Sequence, residues 1–371
     1  MRKQDRKMPI RESSFRIGCG RYLQEEGLLA RAGAEIARHG RRPLIVGDDT
    51  ALGVTREGLI PSVAAACETY TIVTHNGTCN DERAQEIAEM TKHDGYDVIV
   101  GVGGGVIMDF AKLCGFFAEL PVVNIPTSAA TCAAYTPLSV RYTPEGKTVG
   151  SKHYEYEVDE VLVDTRVMLT QPTRLLLAGV FDALAKFVEI KQRYHADTDA
   201  EYPMGLDYAY VMAVRSFEVL CRDIEGCIAD MRAGKVTPRV DNVIFSLIAA
   251  TGVISGIARG SNQTALGHKF YENTRYLFPD TARPYLHGEI VGIGLILQNY
   301  FNGEPEQNNF LIGIMKKYHM PHTVAEVGIT ADEATRETYY ERLCACSAME
   351  DSGERERELL REALDYLWEV K

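Results

Sequence analysis

The sequence predicts an α/β domain with a parallel sheet, followed by an all-helical domain. Short β-branched runs alternate with helical patterns through the first part of the chain, and one of these runs ends in consecutive glycines. Beyond about residue 172 the strand patterns nearly vanish. Strands separated by helices predict a doubly wound parallel sheet, which binds ligands at the carboxyl ends of its strands. We therefore expect two domains, at residues 1–165 and 166–371.

The individual elements follow from the residue pattern in chain order. Runs rich in β-branched residues and bounded by turn residues predict strands at 43–48, 68–74, 97–103, 121–127 and 160–164. An amphipathic pattern predicts a helix at 81–92. In the second half, helical periodicity is found at 175–191, 212–224, 242–257, 289–300 and 354–370.

The junction within residues 97–109 carries the most information. An apolar strand ends at Gly103, Gly104 and Gly105, and a helical pattern follows. Glycines let backbone N–H groups approach a ligand closely, and a helix N-terminus favours negative charge, so a phosphate or pyrophosphate is one interpretation. The spacing is neither the Rossmann G-x-G-x-x-G nor a P-loop. A tight turn without a ligand is the other interpretation.

Composition excludes several classes of function. The chain of 371 residues has 46% hydrophobic and 25% charged residues, and its net charge of −12 disfavours nucleic acid or an anionic membrane as partner. We expect no signal peptide and no apolar run long enough to span a bilayer. The nine cysteines form no CxxC framework. Reduced thiols and a cytoplasmic location are therefore expected.

Three residues of the second half suggest a metal site. Asp182 lies within an otherwise apolar helical pattern, and a buried carboxylate is costly unless a cation compensates it. His268 follows a helical stretch, and His287 precedes another apolar helix. One aspartate and two histidines would form a three-ligand divalent site with an open position. The alternative is that each is an ordinary helix residue.

Several motifs, taken together, resemble the glycerol dehydrogenase-like branch of the iron-containing alcohol dehydrogenase superfamily. They occur in that family's order and at similar spacing over nearly the whole chain. The motifs are Gly103-Gly104-Gly105-x-x-x-Asp109, Pro126-Thr127-x-Ala129, Leu138-Ser139-Val140-x-Tyr142, Gly179-x-x-Asp182-Ala183-Leu184-Ala185-Lys186 and His287-Gly288-Glu289.

The resemblance implies the dehydroquinate synthase-like, iron-type alcohol dehydrogenase architecture, with a dinucleotide-binding domain, a helical catalytic domain and an active site between them. It implies that Asp182, His268 and His287 are the metal ligands. The ion is usually zinc in this branch, although iron, nickel or manganese also suit such donors. Iron-dependent members carry an additional histidine where this chain has Lys186. The implied reaction is hydride transfer between an alcohol carbon and a nicotinamide, with the metal as Lewis acid.

The resemblance also implies the cofactor contacts. The three glycines would hold the pyrophosphate, and Asp48 would contact the adenosine ribose, which favours NAD over NADP. A plain turn aspartate is the alternative for Asp48. Lys147 matches a region near the cofactor only loosely. Residues placed along the nicotinamide half are Asp109, Thr127, Ser128 and Thr131, and Tyr142 lies near the cofactor in relatives.

Cys132 bears on the substrate. Residues 126–140 resemble a hydroxycarboxylate dehydrogenase type that reduces 2-oxo acids, whereas glycerol dehydrogenases have an aspartate where this chain has Cys132. The predicted substrate is therefore a small 2-hydroxy acid or polyol and its carbonyl. Glycerol dehydrogenase proper is the first alternative, a dehydroquinate synthase-like lyase the second and a non-catalytic cofactor-binding relative the third. A homo-oligomer is expected from the family.

Overall fold

The computed structural model describes residues 17–195, 202, 205–259 and 263–371. They form two compact units. The first extends to Pro172 and includes Cys221–Gly256, and the second contains Thr173–Leu220 and Ile257–Lys371. The domain division at residue 165 stays a prediction. The two units differ from this division at residues 166–172 and over Cys221–Gly256, both of which belong to the sheet-bearing unit.

The first unit contains a six-stranded parallel sheet in the order β1-β8-β5-β4-β2-β3. A separate antiparallel hairpin is formed by β6 and β7. The strands are β1 (Tyr22–Glu25), β2 (Pro43–Gly47), β3 (Thr71–Thr74), β4 (Val98–Gly103), β5 (Val122–Pro126), β6 (Leu138–Tyr142), β7 (Thr148–His153) and β8 (Glu160–Asp164).

Fifteen α-helices are present in the described part of the chain. They are α1 (Ala32–Ile36), α2 (Asp49–Ala66), α3 (Asp81–Asp94), α4 (Gly105–Ala118), α5 (Thr165–Met168), α6 (Thr173–Ile190), α7 (Leu206–Arg232), α8 (Pro238–Phe245), α9 (Thr251–Ala258), α10 (Leu266–Leu277), α11 (Pro279–Ala282), α12 (His287–Phe301), α13 (Asn308–Lys317), α14 (Glu333–Cys344) and α15 (Glu354–Glu369). A π-helical turn, Ser246–Ala250, joins α8 to α9.

The core of the first unit is the apolar face between the sheet and its helices. The central strands β2, β4, β5 and β8 are buried along their whole length, as expected for a parallel sheet covered on both faces. Asp48 and Asn80 cap α2 and α3 by accepting hydrogen bonds from backbone N–H groups in the first turn. The apolar core residues come from β2, β4, β5 and β8 and from the first helices.

In the second unit α12 packs against both α6 and α10. Glycine makes the close approach possible at two points. A Cβ added at Gly288 would lie 1.8 Å from the Ala178 carbonyl oxygen, and one at Gly294 would lie 2.5 Å from the Gly267 carbonyl oxygen. Any side chain at these two positions would force the helices apart. The three helices that carry Asp182, His268 and His287 are thus held together by backbone contact.

The predicted fold class is confirmed, with a parallel sheet in the N-terminal part and helices in the C-terminal part. The expectation that no apolar run is long enough to span a bilayer is wrong. By length and composition Pro238–Ala258 is long enough, with a mean hydropathy of 1.7. The charged residues Arg239 and Asp241 lie in its first turn, so the apolar run in the sequence, residues 243–258, is shorter than the helix. Of its most apolar window 61% is buried. One such helix among the described residues is weak evidence for a membrane span, because buried core helices have the same length and composition.

Candidate metal centre and nucleotide-binding turn

Asp182, His268 and His287 come together in the second unit, from α6, α10 and α12 respectively. The Asp182 Oδ1 lies 3.4 Å from His268 Nε2 and 3.5 Å from His287 Nε2. One donor atom from each residue lies within 4.8 Å of the other two. Asp182 and His268 are buried, and His287 is partly exposed, so one side of the cluster is open.

The distances within this cluster fit a metal better than a hydrogen-bonded triad. Charge-assisted N–H···O bonds are about 2.7–2.9 Å long, which is shorter than either separation found here. Tetrahedral ligands with bonds of about 2.0–2.1 Å lie roughly 3.3–3.4 Å from one another. A carboxylate oxygen and two imidazole nitrogens are also suitable donors for zinc and other divalent transition metals. The residues present therefore fit a divalent ion.

Glu189 orients His268, although the sequence analysis did not identify it. Its Oε2 lies 2.5 Å from His268 Nδ1, and its Oε1 accepts the backbone N–H groups of Ala265 at 2.7 Å and His268 at 2.8 Å. When the imidazole is neutral, its proton lies on Nδ1 and Nε2 has a free lone pair towards Asp182. Such an arrangement is the usual support for a metal-binding histidine.

The charged groups around the cluster shift the pKa values of its three members. Burial alone would raise the pKa of Asp182, but the Lys186 ammonium and the two imidazoles together lower that pKa well below its usual range. Burial disfavours the charged form of His268, yet the Glu189 carboxylate raises the pKa of His268 to about 9. Burial lowers the pKa of His287, against the opposing effect of Asp182. Asp182 therefore stays an anion at neutral pH, as a metal ligand must.

In the first unit, the three glycines form a turn that would accommodate a bulky anion. Gly103 ends β4, and Gly104 precedes α4 without a side chain that caps the helix. A Cβ added at Gly104 would lie 3.4 Å from Ser128 Oγ, and one at Gly105 would lie 2.9 Å from Thr131 Oγ1. Two hydroxyl groups thus flank a helix N-terminus whose first N–H groups have no side-chain acceptor. This arrangement suits a pyrophosphate.

Asp109 does not point into this turn. It is 6% exposed, its Oδ2 accepts the Val140 N–H at 2.9 Å, and its Oδ1 lies 2.9 Å from the Lys112 ammonium. Burial raises the pKa of Asp109, against the opposing effect of Lys112. Its carbonyl oxygen also accepts the Ser139 hydroxyl at 2.7 Å. The carboxylate therefore joins α4 to β6.

Lys112 holds the loop that carries Cys132. Only 3% exposed, its ammonium donates to the carbonyls of Ala133 at 2.7 Å and Thr136 at 2.9 Å, and also to that of Leu138. Asn124, in β5, donates to the Ala134 carbonyl at 3.0 Å. Four backbone carbonyls between residues 133 and 138 thus accept hydrogen bonds from two buried side chains, Lys112 and Asn124. The loop beside Thr131 and Cys132 is ordered by the sheet and by α4.

The other expected cofactor residues have different surroundings. Asp48 follows β2, and its carboxylate accepts the Ala51 N–H at 2.8 Å, so it acts at least as a helix cap. The Thr127 N–H donates to the Gly103 carbonyl at 2.9 Å. Tyr142 ends β6 and donates its backbone N–H to the Cys79 carbonyl at 2.8 Å. Lys147 is exposed in the hairpin turn.

The comparisons with known proteins point to one family. Residues 19–165 match the family model described as iron-containing alcohol dehydrogenase. Hydroxycarboxylate dehydrogenase A of Escherichia coli (strain K12) is 32% identical over 256 residues, which is 68% of each chain. Glycerol dehydrogenase of Thermotoga maritima is 30% identical over 317 residues, which is 84% of each chain. A crystal structure of a probable glycerol dehydrogenase from Sinorhizobium meliloti has a TM-score of 0.78 at 24% identity, covers 94% of this chain and 97% of that one, and confirms the fold.

The fold and the named relatives place the chain among the nicotinamide- and metal-dependent oxidoreductases. The chain belongs to the iron-containing alcohol dehydrogenase family. It is a metal-dependent enzyme that interconverts an alcohol and its carbonyl compound by hydride transfer with a nicotinamide cofactor. The predicted family and the predicted type of reaction are both confirmed.

Proposed function

We propose that Asp182, His268 and His287 hold the catalytic divalent ion and that this ion is zinc. The observation that carries the proposal is the spacing of the three donor atoms, with 3.4 Å and 3.5 Å from Asp182 Oδ1 to the two imidazole Nε2 atoms. Three ligands and one open side leave a coordination position for substrate, as in catalytic zinc sites. Iron, nickel and manganese are the alternatives that a metal analysis distinguishes.

The bound ion supplies Lewis acidity, which polarises a carbonyl oxygen or lowers the pKa of an alcohol. The protein residues supply the rest. Asp182 contributes one negative charge, and Lys186 offsets it from the same helix. Glu189 keeps the proton of neutral His268 on Nδ1, so that Nε2 is available as a ligand. The burial of Asp182 and His268 excludes water from most of the cluster.

We further propose that the glycine turn binds the pyrophosphate of NAD. The three glycines provide close backbone approach, and Thr127, Ser128 and Thr131 border the turn. Asp48 and Asp49 place two carboxylates directly after β2. Carboxylates accept hydrogen bonds from a ribose 2′-hydroxyl and repel a 2′-phosphate, which supports NAD over NADP. Asp109 and Tyr142 are assigned supporting positions around this site.

For the substrate we propose a small 2-hydroxy acid and its 2-oxo acid. Cys132 places a thiol where glycerol dehydrogenases have an aspartate, so a substrate carboxylate would not meet a second carboxylate there. The E. coli relative at 32% identity is named a hydroxycarboxylate dehydrogenase, which supports this choice. Glycerol is the second candidate, because the T. maritima relative at 30% identity is named a glycerol dehydrogenase. The named relatives support a dehydrogenase over a dehydroquinate synthase-like lyase.

The test is a nicotinamide absorbance assay on zinc-loaded protein. It compares reduction of 2-oxobutyrate and 2-oxoglutarate with oxidation of glycerol and 1,2-propanediol, using both NAD(H) and NADP(H). We expect reduction of an oxo acid with NADH and little polyol oxidation. Strong polyol oxidation would refute the assignment of Cys132, and activity retained by His268→Ala with a chelator present would refute the metal assignment.

The proposal extends to the organisation of the enzyme. We propose that residues 1–165 form the dinucleotide-binding domain and residues 166–371 the helical catalytic domain, that the protein assembles as a homo-oligomer and that it acts in the cytoplasm. Light scattering after size-exclusion chromatography tests the assembly, and a monomeric mass would refute it.

A further inference from the structure

The segment that precedes His287 is held by an arginine of α6. Arg174 donates from Nε and Nη2 to the two carboxylate oxygens of Glu289, at 2.6 Å each, and Nη2 also donates to the Pro284 carbonyl at 3.0 Å. Glu289 in turn accepts the Leu286 N–H at 2.7 Å. These hydrogen bonds connect α6 to the first turn of α12 and to the residues just before it. His287 is the first residue of that helix.

A second arginine, from α10, holds the same segment. Arg275 donates to the carbonyls of Ala282 at 2.7 Å and Tyr285 at 2.5 Å. Its guanidinium carbon also lies 5.4 Å from the centroid of the Tyr271 ring. Tyr271 meets the His287 imidazole edge to face, with ring centroids 4.2 Å apart. Arg275 therefore supports both the backbone before His287 and an aromatic side chain that packs against its ring.

We propose that Arg174 and Arg275 are positioning residues for the metal centre, because they fix residues 282–286 and thereby keep the His287 imidazole beside Asp182. This inference rests on the proposed metal-binding function of that cluster. The helices concerned are the two that carry the other proposed ligands, since Arg174 lies in α6 with Asp182, and Arg275 lies in α10 with His268. Each arginine thus connects the third ligand to a helix that bears another one.

Arginine suits this role for a physical reason. Its planar guanidinium forms two parallel hydrogen bonds to a carboxylate, and it has further N–H groups for backbone carbonyls, which a lysine ammonium does not reproduce in the same geometry. Glu289 is 1% exposed, so loss of Arg174 would leave a buried carboxylate without its main partner. The first turn of α12 would then shift or take up water. In either case the position of His287 Nε2 would become less well defined.

The experiment measures metal binding rather than turnover. Full-length Arg174→Gln, Arg275→Gln and wild-type protein are stripped of metal, and their zinc affinity is determined by competition with a chromogenic chelator. The visible absorption of the Co²⁺ forms reports the ligand geometry. Arg283→Gln is the matched control, since Arg283 is an exposed arginine in the same segment. Residues that support metal ligands typically contribute about 10–100-fold in affinity.

We expect a zinc dissociation constant raised about 10–100-fold in Arg174→Gln and Arg275→Gln, weaker or shifted Co²⁺ bands, and wild-type behaviour in Arg283→Gln. Arg174→Lys should recover only part of the affinity, because it restores charge without the paired hydrogen bonds. A lower melting temperature with unchanged zinc affinity and Co²⁺ spectrum would overturn the proposal, since it shows a structural role alone. An equal loss in Arg283→Gln would also overturn it.

Two further results separate this inference from the proposed function. If Arg174→Gln does not fold, Arg275→Gln, which leaves the Arg174–Glu289 pair intact, decides the question by the same criteria. If wild-type protein binds no zinc, or if its zinc binding survives in Asp182→Ala, the metal assignment itself is wrong. The inference is then overturned with it. If wild-type binding depends on Asp182 and both arginine variants match it, only the inference is overturned.

Discussion

Replacing Glu189 by glutamine should reverse the orientation of the proton on His268. In the structure one carboxylate oxygen accepts two backbone N–H groups, at 2.7 Å and 2.8 Å, and the other lies 2.5 Å from His268 Nδ1. A glutamine would keep its carbonyl oxygen on the two backbone donors. Its amide nitrogen, which has only donors, would then face Nδ1. The imidazole would have to accept there and carry its proton on Nε2, where it cannot bind a metal.

The size of the effect follows from the function of this contact. Supporting carboxylates behind metal-binding histidines typically contribute about 10–100-fold in affinity. Such a loss corresponds to about 1.4–2.7 kcal/mol of binding free energy. Because the contact is buried and Glu189 is only 2% exposed, water offers little compensation. We therefore expect the upper part of this range.

Zinc competition with a chromogenic chelator measures this loss, and titration with NADH checks that the nucleotide site remains intact. Glu272→Gln is the matched control, since Glu272 is an exposed acid on α10 that pairs with Lys269. Wild-type zinc affinity in Glu189→Gln would refute the reasoning. So would an equal loss of affinity in Glu272→Gln.

Three further predictions concern other parts of the molecule. Gly105→Val should raise the NADH dissociation constant, measured by fluorescence titration, at least about tenfold, because the valine side chain would crowd Thr131 and fill the turn. Gly53→Ala, at an open position of α2, is the control and should bind NADH as the wild type does. Lys112→Met should lower the free energy of unfolding in urea by about 3–5 kcal/mol, because three carbonyls and a buried carboxylate lose their cation; a change below about 1 kcal/mol would contradict this. In metal-free protein the pKa of His268 is raised to about 9, so its contribution to stability is complete below about pH 6.5 and is lost as the pH rises through about 9. Urea unfolding at pH 6 and pH 9.5 should show a larger loss in wild type than in Glu189→Gln, and an equal loss in both would argue against the assignment.

Much of the sheet was predictable because its central strands are buried on both faces. The middle of each such strand is continuously apolar, as at Val98–Val102 and Val161–Val163, and the structure places strands at Val98–Gly103 and Glu160–Asp164. The short edge strand β1 and the hairpin of β6 and β7 were not predicted. Their residues are partly exposed and mix polar with apolar types, so periodicity gives no clear signal. Their pairing depends on tertiary contacts.

The candidate ligands were visible in the sequence, whereas the residues that support them were not. Asp182 stood out as a carboxylate within an apolar helix, and Glu189, seven residues later on the same helix, carries the same signal. A search for buried charges along one helix face would have found it. Arg174 gives no such signal, because its partners are the Pro284 carbonyl and the Glu289 carboxylate, which only the fold brings near it. Asp109 belonged to a recognisable motif, but its surroundings became apparent only from the structure.

The contact of Gly288 with the Ala178 carbonyl has a consequence for redesign of the enzyme. The separation of α6 and α12 is determined by backbone atoms rather than by side-chain rotamers. A metal-binding side chain on these helices can therefore be exchanged for another without changing the spacing of the helix backbones. Lys186 lies one turn after Asp182 on the buried side of α6. The substitution Lys186→His therefore offers a route to altered metal selectivity that leaves the packing of α6 against α12 unchanged.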